Sequence, residues 1–80
     1  MLRAIGCTVA ITSSVGGGFP DLVVGYKGQN FLFEVKDGLL PPSRTRLTPA
    51  EQEFSESWRG SYHVVTGEDE AVRIVLGMDK

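Results

Sequence analysis

Two apolar stretches on either side of a tight turn constrain this chain most: Asp21 to Gly25 and Gln29 to Lys36, with Tyr26-Lys27-Gly28 between them. Both are rich in β-branched and aromatic residues, and a two-residue loop ending in glycine is a favoured connection for an antiparallel hairpin. If Lys27-Gly28 is that loop, Tyr26 faces Gln29, Leu22 faces Phe33 and Val24 faces Phe31, so four apolar side chains share one face of the sheet. The same register sets Asp21 against Glu34. Opposed Cβ atoms in a sheet lie about 4.5–5.5 Å apart, and like charges so placed are destabilising. Lys36 shares the face of Glu34, because side chains two apart on a strand point the same way.

The remaining elements are short. Met1 to Ile5 reads as the last turn of a helix ending at Gly6, and Cys7 to Thr12 alternates as a β-branched strand. Residues 13–18 form a serine- and glycine-rich loop. After Lys36, the prolines Pro41 and Pro42 and Gly38 forbid regular structure, leaving a surface loop that carries Arg44 and Arg46. Thr48-Pro49-Ala50-Glu51 is a helix start with an N-cap threonine, proline at the first helical position and a glutamate placed for a capping box. This helix is expected to run to about Arg59 and end at Gly60, with Phe54 and Trp58 on one stripe and Gln52 off it. Ser61 to Val65 reads as a fourth strand. Glu68, Asp69 and Glu70 then open a last helix carrying Ala71, Val72, Val75 and Leu76 at helical spacing. The order (α)βββαβα predicts an α/β fold, a small mixed sheet flanked by helices, with a right-handed parallel crossover between the third and fourth strands.

Eighty residues make one domain, 1–80, whose modest core gains from a metal or a partner chain. No stretch of 18 apolar residues and no secretory leader pattern is present, which predicts no membrane association. A single cysteine, Cys7, cannot pair internally and reads as a small buried hydrophobe in an intracellular protein. The net charge of −2 argues against a general positive field for nucleic acid. Its distribution softens that objection. Residues 47–80 hold seven acids and three bases, whereas residues 1–46 hold three acids and five bases. A cation bound by two of those three acids would leave the N-terminal half clearly positive.

Asp21, Glu34 and Lys36 admit two readings. One ammonium beside two carboxylates is the composition of a structural ion cluster at a hairpin end. It is equally that of a hard-cation site, where Mg²⁺ takes one or two carboxylates, waters and a substrate phosphate. Gly16-Gly17-Gly18 keeps side chains away from Asp21, and Pro20 fixes the backbone just before it. A metal beside a lysine suits phosphodiester hydrolysis: the ion polarises phosphate and lowers the pKa of a bound water, and the ammonium orients the nucleophile and stabilises developing negative charge.

Gly18-Phe19-Pro20-Asp21, followed after twelve residues by Glu34-Val35-Lys36, resembles the PD-(D/E)xK nuclease signature. The form G-x-P-D-L, then F-E-V-K, a loop and a helix opening L-T-P-A-E-Q, is similar to the virus-type replication-repair nuclease (VRR-NUC) family in particular, over Gly6 to about Ala71. The resemblance implies a restriction-endonuclease-like core and a Mg²⁺-dependent endodeoxyribonuclease, with Mn²⁺ able to substitute. Asp21 and Glu34 match the family's metal-binding carboxylates, the carbonyl of Val35 a further ligand, Lys36 the catalytic lysine, and Gln52 the glutamine beside the active site. It further implies a homodimer acting on branched DNA such as a four-way (Holliday) junction, in a bacterial or phage-infected cytoplasm. The family's glutamate on a helix before the first strand has no counterpart, since no acid precedes Asp21. Either water replaces that ligand or the helix carrying it lies outside this sequence.

Arg44, Arg46 and Lys27 are the candidate phosphate contacts. The missing acid favours a second class of function, a non-catalytic DNA-binding or assembly module that keeps the nuclease fold. A third is a plain structural subunit in which Asp21, Glu34 and Lys36 are only an ion cluster. His63 reads as a core or strand-end residue, and Phe54 and Trp58 as core or dimer interface.

Overall fold

The computed structural model describes residues 2–36 and 46–77. A 3₁₀ turn, Arg3–Ile5, stops at Gly6, whose φ of 99° lies in the left-handed region that glycine alone enters freely. Four strands follow, β1 (Thr8–Ile11), β2 (Leu22–Tyr26), β3 (Gln29–Val35) and β4 (Tyr62–Val65), with α1 (Pro49–Ser57) before β4 and α2 (Glu68–Val75) after it. They form one mixed sheet in the order β1-β2-β3-β4. The first two pairings are antiparallel, and β3 with β4 is parallel. The expected mixed α/β fold is therefore present.

The hairpin register is the one expected: Tyr26 opposes Gln29, Val24 opposes Phe31 and Leu22 opposes Phe33. Lys27 and Gly28 both have positive φ, 48° and 79°, as a two-residue turn matching strand twist requires. Alternation then divides β3 between two faces. Phe31 and Phe33 join Leu2, Cys7, Val24, Val65, Ala71 and Val75 in the core beneath α2 and the N-terminal turn. Leu32 and Glu34 point to the other face, which α1 covers through Phe54, packed against Phe19 at 5.3 Å and Tyr62 at 5.8 Å between ring centroids. Because both faces are covered, four consecutive residues of β3, Phe31 to Glu34, are buried.

Helix α1 starts as expected, with both hydrogen bonds of the Thr48/Glu51 capping box formed. It ends earlier than expected, at Ser57. Trp58 leaves helical geometry, with φ −73° and ψ 128°, and its indole stacks on Phe54 at 5.2 Å. A Cβ on Gly60 would lie 2.8 Å from the Trp58 Nε1, so that glycine makes room for the indole rather than stopping the helix. Trp58 remains 42% exposed, so its ring is not a core one. His63 lies on the core face with its ring near Phe33, and Ser61 Oγ is 2.8 Å from its Nε2. Among the described residues no helix is long and apolar enough to cross a membrane.

Candidate functional site

Asp21 stands one residue before β2, where two hydrogen bonds from Thr12 fix the backbone. Thr12 N–H donates to the Asp21 carbonyl at 2.7 Å, and the Thr12 hydroxyl donates to the Pro20 carbonyl at 2.8 Å. The Asp21 side chain reaches across to β3, where its Oδ2 accepts the Val35 N–H at 2.9 Å. The other edge of this segment belongs to β4, since Lys36 N–H donates to the Val65 carbonyl at 2.8 Å. The N–H and C=O of one strand residue point to the same neighbour, so the Val35 carbonyl is directed to the Asp21 side. Asp21, Glu34 and Val35 thus converge at the end of the hairpin, as the register requires.

Glu34 is 3% exposed, the one buried charged residue among those described. Its Oε2 lies 3.6 Å from the Lys36 Nζ, while its Oε1 is buried with no hydrogen-bond partner. Burial, followed by the charges of Asp21 and Glu51, pushes the Glu34 pKa up to about 7. Near neutrality this carboxyl is poised between its two forms.

The third acid near Glu34 comes from α1. The Glu51 Oε1 accepts from Lys36 Nζ at 2.8 Å and from the Thr48 N–H at 2.9 Å, so one oxygen closes the capping box and holds the lysine. The hydrogen bond that Lys36 donates to Glu51 is the main reason the Lys36 pKa is raised, outweighing the opposing effect of burial. Burial alone would raise Glu51, yet the bonds from Lys36 and Thr48 outweigh it and leave this carboxyl below its usual range. Gly18 lets the first turn of α1 come this close. Its φ is +81°, and a Cβ there would overlap the Ala50 carbonyl and sit 3.0 Å from the Glu51 nitrogen.

The other expected site residues lie apart from this cluster. The Gln52 amide donates to Glu56 Oε2 at 2.8 Å on the exposed side of α1, so at the expected glutamine position it is the preceding residue, Glu51, that faces Lys36. Lys27 sits in the turn at the far end of the hairpin, its ammonium 5.4 Å from the Tyr26 ring centroid. The five residues of β2 separate it from Asp21, roughly 20 Å. Arg46 is exposed and precedes the α1 cap, at the same end as Glu51. Arg44 lies outside the described residues. An apolar cleft of about 620 Å³, lined by Val9, Ile11, Leu22 and Val65 among others, opens on the core face, opposite the face that carries Glu34.

Two members of this neighbourhood are not among the site residues that the sequence suggests. Glu51 was visible as the capping-box acid, and nothing in the sequence says that the same oxygen also takes a lysine. Tyr62 lies on the Glu34 face because the parallel register sets it beside Leu32 and sets Val64 beside Glu34. Its hydroxyl is buried without a hydrogen-bond partner. Burial first, then the charges of Glu34 and Glu51, raise its pKa.

No family model matches this chain, and no curated protein or solved structure does. The site's chemistry therefore rests on its own geometry. Among the described residues no group of three or more histidine, cysteine, aspartate or glutamate side chains is placed to hold a metal ion. The donor set that a hard cation would meet is two carboxylates and a main-chain carbonyl, with water completing the shell. The unpartnered, buried Oε1 of Glu34 and the repulsion between Glu34 and Asp21 fit such a cation.

Proposed function

We propose that the chain is a Mg²⁺-dependent nuclease of the PD-(D/E)xK type, with a minimal restriction-endonuclease-like core. The observation that carries this reading is the convergence of Asp21, Glu34 and Lys36 at one hairpin end, with a buried Glu34 oxygen lacking any partner. Asp21, Glu34 and the Val35 carbonyl would hold the cation. Bound there, it would supply Lewis acidity toward a phosphoryl oxygen and a more acidic water. Lys36 contributes ammonium donors to the developing phosphoryl charge, and Glu51 keeps that ammonium at the cluster. Arg46 stands at the same end for a flanking phosphate, while Lys27 could serve only a phosphate some 20 Å away, roughly the length of the hairpin. The substrate we propose is branched DNA, cut by a homodimer whose two sites act on symmetric strands.

Incubated with Mg²⁺ and a four-way junction, the purified protein is expected to nick or resolve it, and Lys36→Ala to abolish cleavage. Equal activity in the variant would overturn the mechanism. One observation favours the second reading, a DNA-binding or assembly module without catalysis: Lys36 is already engaged by Glu51 at 2.8 Å. Junction binding indifferent to Mg²⁺, with no Mg²⁺ binding by calorimetry, would decide for that module.

A further inference from the structure

Two buried side-chain polar atoms among the described residues lack a hydrogen-bond partner, the Glu34 Oε1 and the Tyr62 hydroxyl. A buried polar group without a partner is costly, and native structures leave few of them. These two lie on the same face of the sheet, two residues apart in the β3/β4 register, and both under α1. One is a donor and the other an acceptor. Both sense the same charges, since Glu34, Glu51, Lys36 and Asp21 all act on the tyrosine. A water joining them would satisfy both atoms with the two polar partners that a buried water needs as a minimum.

We propose that Tyr62 is a positioning residue of the Asp21/Glu34 site, its hydroxyl restraining the Glu34 carboxylate through a bridging water. Its consequence for metal binding rests on the nuclease reading; the link between Tyr62 and Glu34 does not. The phenol ring has a separate task, packing on Phe54, so Tyr62→Phe removes the oxygen and keeps the ring contact.

The test uses the full chain, wild type, Tyr62→Phe, Glu34→Gln and the double variant, with Mn²⁺ alone as the probe. Tyr62→Phe is expected to weaken Mn²⁺ binding about tenfold, the lower end of what loss of a ligand-supporting hydrogen bond does. On the junction it is expected to lower kcat with KM for DNA unchanged. In chelator, the melting-temperature shifts of Tyr62→Phe and Glu34→Gln are expected to be non-additive, because the two groups share one bridge. A Tyr62→Phe protein that melts higher, adds independently to Glu34→Gln and binds Mn²⁺ as the wild type does would overturn the proposal. Should wild type bind no Mn²⁺, the nuclease reading fails and the melting-temperature cycle alone decides: non-additive shifts keep the Tyr62–Glu34 link, additive shifts overturn it.

Discussion

Replacing Glu34 by glutamine should make the protein more stable at neutral pH and leave it little changed in acid. The folded-state pKa of Glu34 is about 7 against a reference of 4.5, raised chiefly by burial. Between those values the folded chain keeps a proton that the unfolded chain has released. The stability associated with the neutral form is therefore complete below about pH 4.5 and is lost as pH rises through about 7. At about 1.4 kcal/mol per pKa unit, the loss amounts to about 3 kcal/mol. Against the roughly 4–12 kcal/mol expected for a chain of this length, that is a large fraction. Urea unfolding followed by Trp58 fluorescence, in chelator and from pH 4.5 to 8, measures it directly. The comparison of wild type with Glu34→Gln cancels the titration of every group not coupled to Glu34. The variant's advantage should grow across this range by about 3 kcal/mol, equivalent to a melting-temperature gap of roughly 12–24 °C. If a cation binds Asp21 and Glu34, Mg²⁺ at a hundredfold over its Kd should return about 2.7 kcal/mol to the wild type at pH 8 and much less to the variant. A difference between the proteins that stays flat with pH would refute the assignment of Glu34 as a carboxylate that is costly to ionise.

Two further substitutions test how α1 is held over the site. Thr48→Ala removes the hydroxyl that accepts the Glu51 N–H and should cost about 1 kcal/mol, read as a lower urea midpoint; the backbone N–H of residue 48 still donates to the Glu51 oxygen that holds Lys36. Gly18→Ala meets both a left-handed backbone and the Ala50 carbonyl, and should cost well over 1 kcal/mol in thermal unfolding. Gly17→Ala is the control, since its φ is +65° with nothing within 4 Å; only the backbone penalty of about 1–2 kcal/mol applies. Equal losses at the two glycines would mean that the close approach of α1 to the loop is not needed.

The hairpin was legible because its information is local. A two-residue turn fixes which residues face each other, and the period of two fixes their faces, so Leu22/Phe33 and Val24/Phe31 followed from counting. The start of α1 was legible for the same reason, as a capping box needs only four consecutive residues. Its end was not. Trp58 leaves the helix where its ring stacks on Phe54 beside a glycine two residues on, and that preference is decided by packing.

At the site, local strand geometry is enough to bring Asp21, Glu34 and Lys36 to one hairpin end, whatever surrounds them. Their surroundings depend on long-range packing. Helix α1 swings Glu51 onto Lys36 and turns Gln52 outward, and the parallel β3/β4 register brings Tyr62 to the face of Glu34. Those contacts join residues 15 to 28 positions apart through a crossover whose register no local turn specifies, so their geometry exists only once both faces of β3 are covered. That same covering is what buries Glu34 and lifts its pKa.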